Sequence, residues 1–104
     1  MTTPREIALF LDMMAAERGA AANTLDAYRR DLEDVAARLA GLGSALSAAG
    51  TADLEGVLAG MAGDGLAAST SARRLSAIKR FYKFLLSEGR RDDNPAAPLR
   101  APKR

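Results

Sequence analysis

Cysteine, histidine and tryptophan are absent from the 104 residues, and valine and isoleucine together supply only four. Without cysteine there is no disulfide framework, thiolate nucleophile or thiolate-bound metal, a composition compatible with a reducing compartment. Without histidine no Ser-His-Asp triad can form, and the commonest metal ligand and general base is missing. The shortage of β-branched residues argues against a mainly β domain. Long apolar runs are missing too. The longest uncharged stretch, 39–52, holds three glycines and two serines, which makes it too short and too polar to span a bilayer. Asp12 breaks the N-terminal apolar run and a single arginine precedes it, so a signal peptide is not indicated.

What is abundant is alanine, at 23 residues, and leucine, at 14. These are the two strongest helix formers, and the length suits one domain with one core. The expectation is an all-α, soluble, cytoplasmic domain with no metal and no cofactor.

The net charge of +2 conceals an asymmetry. Residues 1–72 carry five arginines against ten carboxylates, whereas residues 73–104 carry ten lysines and arginines against three. A balance of −5 followed by +7 suggests an anionic partner for the second part, nucleic acid before membrane surface. An ordinary solvated basic helix face is the alternative.

Caps and periodicity predict four helices and a short fifth. The first opens at Thr3-Pro4-Arg5-Glu6, which reads as a capping box with proline at the first helical position. Its stripe is Ile7, Phe10, Leu11 and Met14, and Gly19 supplies the stop. Asn23 is placed to cap the second, whose stripe is Leu25, Tyr28, Leu32, Val35, Ala36 and Leu39. On that wheel Arg30 projects opposite the stripe, with Arg29 and Asp31 at its flanks, and Gly41 and Gly43 end the helix. Residues 44–50 read as a loop with room for one turn. Thr51 is placed to cap a third helix with Leu54, Val57, Leu58 and Met61 inward, closed by Gly63 and Gly65. The fourth is expected from about Ser69 to Glu88, with Leu75, Ile78, Tyr82, Leu85 and Leu86 inward and Phe81 beside them. Asn94-Pro95 starts a short fifth helix through Leu99, and 100–104 reads as the start of a linker.

On the fourth helix Ser69, Arg73, Ser76 and Arg80 share the face opposite the stripe, with Lys79 and Lys83 along one edge. Cations interleaved with hydroxyls suit B-DNA: cations neutralise phosphates, and arginine can fork to guanine O6 and N7. No acid lies between Asp64 and Glu88 to neutralise the row from the helix itself. Tyr28 and Tyr82 lie on apolar arcs and read as core residues with the hydroxyl at the rim. Asp31, Glu33 and Asp34 read as a solvated, charge-paired face rather than a cation site. Asp92 and Asp93 read as turn residues. No catalytic residue is assigned.

Two segments resemble a known family. The run Asn23-Thr24-Leu25-Asp26-Ala27-Tyr28-Arg29-Arg30-Asp31-Leu32 is similar to the second-helix signature of the tyrosine site-specific recombinases. The run Ser71-Ala72-Arg73-Arg74-Leu75-Ser76-Ala77-Ile78-Lys79-Arg80-Phe81-Tyr82-Lys83-Phe84-Leu85 is similar to the fourth-helix signature of the same domain. Glu17-Arg18-Gly19, Gly65-Leu66, Asn94-Pro95 and Pro102-Lys103 follow in the family's order, and the Xer branch fits best. The resemblance implies a SAM-like core-binding domain, here 1–99, made of four helices and a short fifth. It implies one half of a clamp on recombination-site DNA, with the second and fourth helices against the major groove. The catalytic domain, absent here, would follow the linker.

The implied process is site-specific recombination in chromosome dimer resolution, with a partner recombinase protomer meeting the last short helix. Carried over by position, the implied DNA contacts are Asn23, Thr24, Arg30, Arg73, Ser76, Lys79, Arg80 and Lys83. Lys79 stands where the family more often has arginine, and Ala67 where a serine cap is common, which moves the expected start of the fourth helix to Ser69. The rival reading is a helical protein-interaction module that oligomerises through its apolar rim. A helix-turn-helix fits poorly with the long gap between Gly41 and Gly50, whereas the shorter gap after the third helix leaves it open.

Overall fold

In a computed structural model, residues 4–100 are described. Four helices follow one another: α1 (Arg5–Arg18), α2 (Ala22–Gly41), α3 (Thr51–Gly63) and α4 (Ala68–Ser87). No strand occurs among the described residues.

The core forms where the four stripes meet. Ile7, Phe10 and Met14 of α1, Leu32, Val35 and Leu39 of α2, Leu54 and Val57 of α3, and Leu75, Ile78, Phe81 and Leu85 of α4 form one buried cluster, in which α1 packs on α2 and α4 and α3 packs on α2 and α4. Phe10 makes edge-on ring contacts with Tyr28, Phe81 and Phe84, each with centroids 5.7 Å apart. Such pairs add about 0.5–1.5 kcal/mol beyond burial, so a single phenylalanine joins α1 to both α2 and α4. Of the expected α4 stripe, Leu75, Ile78, Tyr82 and Leu85 are buried with Phe81 beside them, whereas Leu86 is 41% exposed and Phe84 is buried in addition. The ring contacts of Phe81 and Phe84 with Phe10 draw that edge of the helix into the core.

Each helix ends in the same way. Gly19, Gly43, Gly65 and Gly89 have positive φ, and the next amide reaches back to the last turn: Ala20 to Met14, Ser44 to Leu39, Leu66 to Met61 and Arg90 to Leu85. Glycine alone adopts that backbone without a Cβ penalty.

The helix starts differ from expectation. The cap positions are Pro4, Ala21, Gly50 and Ala67, and none makes a side-chain cap. Thr3 lies outside the described residues. Asn23 and Thr51 sit inside the first turns of α2 and α3, where the backbone is already helical and a capping geometry is out of reach. Helix α4 begins at Ala68, one residue before Ser69. The α3 start is held instead by Asp53, whose carboxylate accepts the Gly50 amide at 2.9 Å.

The expected fifth helix is two successive turns. The Asn94 side chain accepts the Ala96 amide at 3.1 Å, and Ala97 and Leu99 donate to the Asn94 and Ala96 carbonyls. Pro98 lacks the amide that would continue a helical ladder. Pro95, Ala96 and Leu99 are nevertheless buried. Thr51 donates to the Pro95 carbonyl at 2.8 Å and pins the segment to α3. Residues 45–49 form the single turn expected there, with Leu46 and Ala49 buried. Arg100 is exposed, and 101–104 lie outside the described residues.

Candidate nucleic-acid interface

The α4 face expected from the sequence is present. Ser69, Arg73, Ser76, Arg80 and Lys83 are all exposed, and their spacing sets them along one side of the helix. Arg80 and Lys83 have no hydrogen-bond or ion-pair partner among the described residues. They border a groove of about 610 Å³ between α1 and α4, which Glu17, Arg18 and Glu88 also line. With both signs of charge at its edge, the groove is no dedicated anion pocket.

Lys79 is placed differently. Its ammonium donates to the Ala96 and Ala97 carbonyls, both at 3.3 Å. It therefore holds the C-terminal turns against α4 rather than standing free in the row.

Arg73 is neither free nor withdrawn. Its Nε donates to Asp31 Oδ2 at 2.9 Å and its Nη2 to Oδ1 at 2.8 Å, while over half of its side chain faces solvent. The hydrogen bonds from Arg73 end on a carboxylate that is only 1% exposed. They also raise the arginine pKa above its ordinary value. This corrects the expectation that Asp31 belongs to a solvated face. The acid missing from α4 is supplied by α2.

Arg74 lies beside it, donating through Nε to Asp31 at 3.2 Å and through Nη1 to Asp34. Asp34 in turn accepts from Arg38 at 2.8 Å, and Arg38 reaches Asp64 at the end of α3 at 2.9 Å. A chain of alternating charges thus runs from α4 through α2 to α3. Buried ions need such partners, because desolvation otherwise costs several kcal/mol per ion, on the order of what a small domain can lose without unfolding. One signal for the buried acid is visible in the sequence, since Asp31 flanks the apolar stripe of α2.

On α2, Asn23 and Thr24 are exposed in the first turn. Arg30 is 67% exposed and pairs with Asp26 at 3.0 Å. The hydrogen bond from Arg29, and next the charge of Arg30, hold the Asp26 carboxyl below the usual carboxylate range. Both tyrosines pack on the core. Tyr28 is half-buried, and the hydroxyl of Tyr82, expected at the rim, is fully buried and donates to the Leu46 carbonyl. No group of three or more acidic residues able to hold a metal ion occurs among the described residues.

Comparison with known proteins decides the family. The family model described as "Phage integrase, N-terminal SAM-like domain" matches residues 7–89. The chain belongs to that family. It is also 53% identical over 95 residues to tyrosine recombinase XerD of Rhizobium meliloti (strain 1021), an alignment covering 91% of this chain and 30% of that protein. The XerD of Bradyrhizobium diazoefficiens is 51% identical over 96 residues, covering 92% of this chain and 30% of its own. The XerD of Caulobacter vibrioides is 46% identical over 94 residues, covering 90% and 31%. The chain thus spans about 30% of the length of these relatives. As a SAM-like integrase domain it places both resembling segments, α2 and α4, in one helical unit. No described helix is long and apolar enough to cross a membrane.

Proposed function

We propose that this chain is the DNA-gripping, core-binding domain of a tyrosine site-specific recombinase of the XerD type. It holds duplex recombination-site DNA in the bacterial cytoplasm while a catalytic domain, supplied by residues outside these 104, cuts and exchanges strands. A second recombinase protomer completes the clamp, and the process served is chromosome dimer resolution. The observation that carries this reading is the exposed α4 face. Arg80 and Lys83 are unpaired cations one turn apart, aligned with Ser76, Arg73 and Ser69. Such a helix fits the major groove, with cations on phosphates and hydroxyls bonding phosphate or base edge. Asn23, Thr24 and Arg30 of α2 supply the second set of contacts. Lys79 contributes charge from a position tied to the C-terminal turns.

The test is fluorescence anisotropy of labelled duplex DNA with the chain and with the Arg80→Ala/Lys83→Ala double variant. Wild type should bind weakly and lose affinity as salt rises. The double variant should bind at least tenfold more weakly, and its log–log salt slope should be shallower by roughly 2, one per lost phosphate contact. Unchanged affinity, with unchanged helical circular dichroism, would overturn the assignment of α4.

A further inference from the structure

The Arg73–Asp31 pair has a geometry that an ordinary surface ion pair lacks. An arginine presents five N–H groups in a rigid planar fork. In Arg73 the side edge of that fork, Nε and Nη2, is occupied by the two oxygens of Asp31. The end edge, Nη1 with the second proton of Nη2, has no partner among the described residues. Asp31 is itself held, buried at 1% exposure and bonded also by Arg74, whose Nε donates to the same Oδ1 that Arg73 Nη2 reaches. The guanidinium is thus clamped from behind by an immobile carboxylate, while more than half of its side chain stands in solvent.

A cation that serves only phosphate needs no such clamp, and one paired to a buried acid forfeits much of its attraction for a phosphate. What a held end edge does suit is a pair of acceptors in a fixed plane. In duplex DNA that pair is guanine O6 and N7 in the major groove. We propose that Asp31 is a specificity-determining positioning residue, locking Arg73 so that its free end edge reads a guanine. The inference rests on the DNA-binding reading above and separates α4 into two parts. Arg80 and Lys83, without partners, supply sequence-independent attraction, and Arg73, neutralised from behind, supplies discrimination.

Selection from a duplex library carrying a randomised segment, followed by anisotropy with the selected duplex and a scrambled control, tests this. Wild type should enrich a motif containing guanine. Arg73→Lys keeps the charge on Asp31 but has no fork. It should retain affinity for the scrambled duplex and the salt slope, and lose about tenfold in discrimination, within the range of one good bidentate pair. Asp31→Asn removes the clamp and leaves Arg73 uncompensated. It should bind scrambled duplex more tightly, with a salt slope steeper by roughly 0.9, the increment of one added phosphate contact. Its discrimination should fall as well. If Asp31→Asn is poorly helical by circular dichroism, Asp31→Glu decides in its place: it keeps the charge behind Arg73 but moves the carboxylate by one methylene, and should lose discrimination with the salt slope unchanged. Undiminished discrimination in Arg73→Lys or in a folded Asp31 variant, or wild-type binding with no motif enriched, overturns the inference and leaves DNA binding standing. Wild type that binds no duplex overturns both.

Discussion

The phenol of Tyr82, closed off from solvent on α4, donates to the carbonyl of Leu46 at 2.7 Å across 36 residues of sequence. Leu46 lies in the single turn between α2 and α3, so one hydroxyl fixes that connection to the core. The Arg91 guanidinium lies 5.5 Å from the Tyr82 ring centroid, and Arg91 also donates to the Ala49 carbonyl at 2.8 Å. Both ends of the turn are therefore tied to the C-terminal third of the chain.

Tyr82→Phe should lower stability by about 1–3 kcal/mol in urea unfolding, because the Leu46 carbonyl is left buried and unpaired. The pair also has a pH signature. Burial is the largest influence on the Tyr82 phenol and pushes its pKa well above the ordinary tyrosine value. A raised folded-state pKa means a contribution that is fully present below the unfolded pKa and is lost as pH rises through the folded one. Wild-type stability should thus fall above about pH 10, by up to roughly 1.4 kcal/mol per pH unit. In Tyr82→Phe that alkaline slope should be shallower. Equal slopes would show that the phenol is not protected.

Lys79→Met separates the two roles a basic residue of α4 can have. Its ammonium is committed to the Ala96 and Ala97 carbonyls. The variant should melt roughly 3–8 °C lower, the shift expected for about 1 kcal/mol in a domain of this size. Its affinity for duplex should change less than that of Arg80→Ala. A larger loss of DNA binding than in Arg80→Ala would return Lys79 to the contact row.

Thr51→Val probes the attachment of the last turns. The Thr51 hydroxyl donates to the Pro95 carbonyl at 2.8 Å, and its loss should cost about 1 kcal/mol. Amides near Ala96, Ala97 and Leu99 should exchange faster while those of α2 are unaffected. Uniform acceleration everywhere would mean that the segment unfolds only with the whole domain.

Two glycines should respond in opposite directions. Gly19 has φ +60 in open space, so Gly19→Ala should destabilise by about 1 kcal/mol from backbone strain alone. Gly41 is helical and equally unobstructed, so Gly41→Ala should stabilise by about 0.5–1 kcal/mol. Urea midpoints moving the same way in both would contradict the backbone account.

Most of the fold is legible in the sequence because it follows from periodicity. The stripes of α1, α2 and α3 lie inward as their spacing predicts, and glycine ends each helix, since both are local properties of the chain. The helix starts are not legible in the same way, because Asn23, Thr51 and Ser69 are good capping residues by type. Yet a cap requires extended backbone at that residue, and packing placed it one or two residues earlier. The last segment departs from expectation because Asn94-Pro95 is a sound start signal, whereas the missing amide of Pro98 permits only turns.

The candidate site divides in the same way. Exposure of Arg30, Arg73, Ser76 and Arg80 follows from helical wheels, because a residue opposite an apolar stripe must face solvent. Which cations are free does not follow, since that depends on groups distant in sequence. Asp31 meets Arg73 across 42 residues, and Lys79 meets the Ala96 carbonyl across 17.

By itself, the sequence determined an all-α domain without histidine or cysteine chemistry and with its excess of positive charge gathered in residues 73–104. Residue types and their spacing carry that information. Only the tertiary structure decided how the charge is used. The packing of α2 on α4 buries Asp31 behind Arg73, folding the last turns back engages Lys79, and Arg80 and Lys83 are left without partners among the described residues. Charge pairing depends on distances of a few ångströms, and those distances exist only once the helices are assembled.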